Sequence, residues 1–298
     1  QHNEYLNAIC HWYGQKYDTV IDANWITYSP SVMYSIAKAL ELLTVPEDSI
    51  LTFTPAYNAF FDVIKNSGRK LLTSTLIKND DGRYGIDWND LNARAKHAKV
   101  ILLCNPHNPT GKVWSEHELI KISEICIKNN CWLLSDEIHS DFAFSNKFTS
   151  ALKLHYDKTV VFNSISKTFN VPALTGSYLI APDINEKFRV ITRYRDFVNS
   201  PSVLNIIATI VAYNECDVWL QQLKSHLQSN IDFAVHYVQE NLSPLKLRES
   251  EGCYFAWIDC SHISCSFEKF YAMLIHEGKV GIMAGNVYGP GGENYLRL

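Results

Sequence analysis

Val100-Ile101-Leu102-Leu103-Cys104 leads directly into Asn105-Pro106-His107-Asn108-Pro109-Thr110-Gly111, and the next apolar run, Cys131-Trp132-Leu133-Leu134, leads into Ser135-Asp136-Glu137-Ile138-His139. Short, unbroken apolar runs are what a parallel strand needs when both of its faces are covered. Between the two, Ser115-Glu116-His117-Glu118 has the form of a capping box, in which the Ser115 hydroxyl and the Glu118 carboxylate satisfy free amides at a helix start. Leu119, Ile122, Ile125 and Cys126 then recur at three- and four-residue steps, which predicts one buried helical face running to about Asn129. Strand, helix and strand in that order are a βα repeat around a largely parallel sheet.

Working outward, residues 50–53, 159–162 and 177–180 read as further strands of the same sheet, so the repeat spans about 49–182. Beyond Pro182 the pattern predicts long helices over 185–198, 201–214 and 218–241 with no strand between them. The remainder reads as strand 254–258, helix 267–276 and strands 280–283 and 295–298. The expected fold class is therefore α/β: a large αβα domain with a mostly parallel sheet over 1–217 and a smaller C-terminal α+β domain over 218–298, with a ligand cleft between them. The chain opens at Gln1 and stops at Leu298 inside a strand-like run, so both domains are expected to continue beyond these ends.

Composition narrows the function. With 47% apolar and 19% charged residues, 298 residues can bury a sizeable core, which excludes disordered, coiled-coil and collagen-like chains. A net charge of −4 from 27 basic and 31 acidic residues leaves no electrostatic footprint for nucleic acid or an anionic membrane, so the expected partner is a small molecule. No apolar run approaches the roughly 20 residues of a membrane-spanning helix, and a soluble chain is expected. The eight cysteines form no Cys-x-x-Cys pair and no zinc-finger spacing. Most of them read as buried thiols, in a reducing cytoplasm, with no metal expected.

In an open α/β sheet the functional residues gather at the carboxyl ends of strands. Four such ends carry unusual polar groups: Thr54-Pro55-Ala56-Tyr57, the Asn105–Gly111 segment, Ser135–His139, and Asn163-Ser164-Ile165-Ser166-Lys167. A desolvated Lys167 could lose its proton and attack a carbonyl to form a Schiff base, with Ser164 and Ser166 binding a phosphate nearby, although a loop lysine fits the same motif. Asp136 follows a core strand, where a buried carboxylate calls for a cationic partner. A protonated pyridine nitrogen would serve, and a helix cap or a metal ligand are the other readings. Asn105 and Asn108 each precede proline and are held extended, with amides available to a ligand, where a plain turn is the alternative. Upstream, Tyr28-Ser29-Pro30-Ser31-Val32 precedes an amphipathic stretch with Ile36, Leu40 and Leu43 on one face. The amides at that helix start could bind an anion, or Ser31 could simply cap it.

In order and spacing, Pro30-Ser31-Val32, Asn108-Pro109-Thr110-Gly111, Ser135–His139, Ser164-Ile165-Ser166-Lys167 and Arg297 resemble the pyridoxal-phosphate enzymes of the aminotransferase fold over nearly the whole chain. Pro172-Ala173-Leu174-Thr175-Gly176 and Ser200-Pro201-Ser202-Val203 resemble its cystathionine β-lyase-like C–S lyase branch. The resemblance implies pyridoxal 5'-phosphate as cofactor and Lys167 as the Schiff-base lysine. It implies that Asp136 pairs with the pyridine nitrogen, Asn108 bonds the ring's phenolic oxygen, Tyr57 stacks on the ring and His139 belongs to the same cofactor site. Ser164 and Ser166, with the Ser31 and Val32 amides, would form the phosphate site, and Arg297, together with Asn105, would hold the substrate.

Typical aminotransferases carry tyrosine and arginine where this chain has His139 and Thr175, and both departures fit the lyase branch. The implied reaction is α,β-elimination of an amino-acid thioether by a homodimer. The alternatives are aminotransfer on the same scaffold and a non-catalytic effector-binding module.

Overall fold

The computed structural model describes residues 3–79, 81–145, 147–182, 184–191, 196 and 201–298. The first half builds helix α1 (Asn3–Tyr17), strand β1 (Ile26–Ser29), α2 (Val32–Leu43), β2 (Ser49–Thr54), α3 (Asn58–Asn66) and β3 (Lys70–Thr75). A small hairpin of β4 (Ile77–Lys78) and β5 (Tyr84–Gly85) and then α4 (Trp88–Ala95) follow. Next come β6 (Ala98–Cys104), α5 (Glu116–Asn129), β7 (Trp132–Asp136), β8 (Thr159–Asn163), the four-residue α6 (Ile165–Thr168) and β9 (Ser177–Ile180). Both halves of the capping box are made at the start of α5, and Asn130 ends that helix in the left-handed region at φ 55°.

Seven strands form one sheet in the order β1-β9-β8-β7-β6-β2-β3. From β3 through β8 they run parallel, as the apolar runs predict. Strand β9 is the correction, because it lies antiparallel to both β8 and β1. A parallel return needs a crossover long enough to carry the chain back along the sheet. Thirteen residues, 164–176, separate β8 from β9, but the only helix among them is the four-residue α6, roughly 6 Å long. The chain therefore re-enters at the end it has just left, and the register pairs Ser177 with Ser29, which brings Pro30 and Ser31 to that same end.

Alternation along the central strands makes three layers. Ile101, Leu103 and Leu133 pack with Trp12 of α1, Leu91 of α4 and Leu119 of α5. Val100, Leu102 and Leu134 pack on the opposite face with Ile36 of α2 and Phe60 of α3.

Helix α7 (Asn185–Val190) precedes α8 (Val203–Glu215) and the 25-residue α9 (Asp217–Asn241). The remainder of the helix expected over 185–198, and Ser200, lie largely outside the described residues. Leu220 of α9 joins the first core, while Val235 and Val238 near its other end join a separate one under a second, antiparallel sheet. That sheet has the order β10 (Trp257–Asp259), β12 (Tyr295–Arg297), β11 (Met283–Ala284), with α10 (Phe267–His276) lying in sequence between β10 and β11. The strand expected over 254–258 begins only at Trp257, because Tyr254 and Phe255 leave the ladder to pack against His139, and the one expected over 280–283 is reduced to Met283–Ala284. Gly252 locks this segment to the large sheet's loops: its amide donates to Gly111 O at 2.7 Å, and Cys253 N donates to Phe142 O at 2.9 Å. A Cβ at Gly252 would stand 2.7 Å from Val113 and 2.9 Å from Phe142 O. Among the described residues no single helix is long and apolar enough to cross a membrane.

Candidate active site

Strand order reverses between β2 and β6, since the chain moves outward to β3 and then returns to build β6, β7 and β8 on the other side. The crevice beyond the carboxyl ends at such a reversal is where open α/β sheets bind ligands. A cavity of about 350 Å³ lies there, within the usual range for small-molecule sites. Four strand ends supply Tyr57, Asn108, Asp136 with His139, and Ser164 with Ser166 and Lys167. Pro30, Ser31 and Val32 close one side, and Arg297 of β12 with Phe255 closes another.

Asp136 is buried and accepts the Ile138 amide at 3.2 Å. Burial pushes its carboxyl up to about 7, a rise that the Ile138 hydrogen bond and the charge of Lys167 partly offset. The acid thus lies near half-protonation at neutral pH and gains from a cation placed against it. Glu137 points elsewhere. Ser135 Oγ at 3.0 Å, Ser150 Oγ at 2.7 Å and the Ala151 amide at 2.8 Å all donate to its carboxylate, and burial lifts it to about 8.

His139 is buried with its ring edge-on to Tyr254 and Phe255, at 5.6 and 5.5 Å. Its Nδ1 has no hydrogen-bond partner. Burial, then the charges of Lys167 and Arg297, press its pKa down to about 3, so the imidazole is neutral.

Arg297 lies over Phe255 and Tyr288, its guanidinium carbon 4.5 and 5.0 Å from the two ring centres, and one NH donates to Asn108 Oδ1 at 3.0 Å. Ser31 caps α2 by accepting the Tyr34 amide at 3.2 Å, and the helix begins at the cavity with the Val32 and Met33 amides outside its internal ladder. Ser164 Oγ accepts from Ser166 N at 3.2 Å and donates to Gly176 O at 2.7 Å. Tyr57 precedes α3, and burial, with the nearby Asp136 charge, raises its phenol.

The structure brings Ser31, Val32, Tyr57, Asn108, Asp136, His139, Ser164, Ser166, Lys167 and Arg297 to one cavity. Asn105 is not among its lining residues. That side chain is buried, with Nδ2 donating to Thr149 O at 2.9 Å and Oδ1 without a hydrogen-bond partner. Lys167 is exposed rather than desolvated. Phe255, Pro172, Leu174 and Gly176 also line the cavity. For Phe255 the available signal was Gly252, a glycine directly ahead of three residues ending in an aromatic pair.

Residues 1–298 match the family described as aminotransferase class I and II, and the chain belongs to that family. It is 31% identical to cystathionine beta-lyase PatB of Bacillus subtilis (strain 168), over 98% of this chain and 77% of that protein. It is also 31% identical to protein MalY of Escherichia coli (strain K12), over 100% of this chain and 77% of that one. Cystalysin from Treponema denticola, whose crystal structure contains pyridoxal 5'-phosphate, superposes with a TM-score of 0.92 at 31% identity, covering 99% of this chain and 76% of cystalysin. The PLP-bound C–S lyase from Staphylococcus hominis does so with a TM-score of 0.91 at 27% identity, covering 100% and 74%.

Proposed function

We propose that the protein is a pyridoxal-phosphate-dependent C–S lyase that, with the uptake of one water, splits S-substituted cysteines, cystathionine among them, into a thiol, pyruvate and ammonia. The observation that carries this reading is the meeting of Lys167, Asp136 and Arg297 at one cavity. The donor set suits the cofactor: Asp136 gains from a cation, the buried Nδ1 of His139 lacks a partner, and the start of α2 offers amides to an anion. Bound there, pyridoxal phosphate supplies an aldehyde for the substrate amine and a ring that takes up the electron pair left by the α-proton.

Each residue then has a task of its own. Asp136 holds the ring nitrogen protonated. Asn108 and Tyr57 orient the ring, while Ser31, Ser166 and the Val32 amide hold the phosphate, and Ser164, whose hydroxyl proton goes to Gly176 O, shapes that wall of the site. Arg297 clamps the substrate carboxylate in a two-point grip, its plane fixed by Phe255 and Tyr288. Lys167 accepts the α-proton as general base. Elimination rather than aminotransfer is supported by His139 and Thr175 and by the named activity of the B. subtilis relative. All eight cysteines are free, which fits action in the cytoplasm, and a homodimer is part of the same reading.

The test mixes purified full-length protein with pyridoxal phosphate and L-cystathionine. Release of thiol and pyruvate at equal rates supports the lyase. Keto-acid formation from alanine without thiol release would overturn it in favour of the transferase.

A further inference from the structure

We infer that Asp141, acting through Thr168 and backed by Trp12 and Tyr17 of α1, is a positioning residue for Lys167, an inference that rests on the role given to Lys167 above.

Lys167 sits on a helix of four residues, and one isolated turn does not hold itself in water. Its position must be fixed from outside. On one side the next residue, Thr168, donates Oγ1–H to Asp141 Oδ2 at 2.7 Å. The other oxygen of Asp141 accepts Tyr17 OH at 2.7 Å and Trp12 Nε1 at 3.1 Å. Tyr17 OH also lies 2.8 Å from Ser140 Oγ. On the other side of the helix, Asn163 Nδ2 donates to Ser140 Oγ at 3.1 Å and to Tyr13 OH at 3.2 Å, while Asn163 Oδ1 accepts the Ser164 amide at 2.7 Å. The short helix is thus tied at both flanks to α1, directly through Tyr13 and through Ser140 and Asp141 of the loop that follows Asp136 and carries His139.

Every member of this network is at most 6% exposed, and apart from Ser164 none lines the cavity. A carboxylate buried this deeply is costly beside an apolar packing of equal volume, so cohesion alone is a poor account of it. What three directed bonds add is geometry. Asp141 lies five residues beyond Asp136 and holds the residue next to Lys167, so one loop sets the separation between acid and amine.

The experiment uses full-length protein and Thr168→Val, which keeps the shape and removes one donor, with Thr168→Ser as its conservative partner. Three quantities are read beside the melting temperature. They are kcat and KM on cystathionine, the pH midpoint of the visible band after loading with pyridoxal phosphate, and the rate at which acetic anhydride acetylates Lys167 in the stripped protein, mapped by mass spectrometry. Thr168→Val is expected to lower kcat roughly ten- to hundredfold with KM within about twofold, in line with misplacing a reacting group. It should also move the pH midpoint and the acetylation rate, and Thr168→Ser should restore all three. Tyr17→Phe, which loosens Asp141 without touching the short helix, should shift the same readouts in the same direction by less.

A Thr168→Val protein with a lower melting temperature but wild-type kcat, visible band and acetylation rate would overturn the inference. Lys167→Ala separates the two levels. If it keeps the visible band and activity, the reading of the site fails; if it loses both while Thr168→Val behaves as wild type, only the positioning role fails.

Discussion

Arg297 on the small sheet donates to Asn108 Oδ1, 3.0 Å away on the loop after β6, so the two sheets meet in a hydrogen bond at the cavity itself. The guanidinium is also stacked over Phe255 and Tyr288. Lysine can reproduce the charge but neither the fork nor the stacking. Arg297→Lys is therefore expected to raise KM for an amino-acid substrate about 10- to 100-fold, as loss of a charged hydrogen bond worth about 1.5–3 kcal/mol requires. Steady-state kinetics on full-length protein checks this, and the visible spectrum should stay as in wild type.

Asp136 gives a pH prediction whose sign can be worked out. Its folded pKa, about 7, lies above the unfolded carboxylate value of 3.8. Between those values the folded state keeps a proton that the unfolded state releases, so stability falls as pH rises from about 4 to 7. Across that window the stripped wild type should lose on the order of 2–4 kcal/mol relative to Asp136→Asn, which has no proton to release. Urea unfolding at pH 5 and pH 8 measures the difference. Loading with pyridoxal phosphate should shrink it, because a cation beside Asp136 favours the ionised form in the folded state. An unchanged slope after loading would count against Asp136 as the ring's partner.

Polar groups after apolar runs marked four strand ends in the sequence, and all four reach the cavity, because chain order alone brings the ends of parallel strands to one side. What could not be read is whatever depends on direction over a few ångströms. Asn105 and Asn108 are the same dipeptide step three residues apart, yet one bonds Thr149 O inside the protein and the other meets Arg297. The reversal of β9 goes with a thirteen-residue connection whose only helix is the four-residue α6, and no periodicity shows how short a helix between two strands will be. Nothing in the sequence marks Asp141, since its donors lie more than 120 positions earlier in the chain at Trp12 and Tyr17.

Gly176 tests the wall beside Lys167. A Cβ there would fall 2.2 Å from Asn205, whose Nδ2 donates to Leu174 O at 2.9 Å. Gly176→Ala must displace Asn205 and, with it, the loop whose carbonyl accepts from Ser164. Overpacking of this kind costs about 1–3 kcal/mol. Because the clash is with one side chain, Gly176→Ala combined with Asn205→Ala should be more stable than the sum of the two single changes, which a double-mutant cycle of urea midpoints measures.

His139 yields a prediction in which one substitution acts with opposite signs in two states of the protein. In the ligand-free fold Nδ1 is buried without a partner, which costs about 1–3 kcal/mol. The ring otherwise only packs, edge-on to Tyr254 and Phe255. Phenylalanine keeps that packing and removes the unsatisfied atom, so His139→Phe should leave the stripped protein as stable as wild type at pH 7, or more so. Acid stability should improve as well. The imidazole stays neutral in the fold down to about pH 3 but is protonated when unfolded below about 6.5, so wild type loses stability as pH falls through that interval and the variant avoids this contribution. With pyridoxal phosphate present the sign should reverse, because a nitrogen held unpaired beside Asp136 and Lys167 is then available to the cofactor, and its removal should weaken retention of the visible band about tenfold or more on dilution. Thermal unfolding of stripped and loaded protein side by side decides the matter. Destabilisation of the stripped variant by more than about 1 kcal/mol would mean that His139 serves the fold and not the ligand.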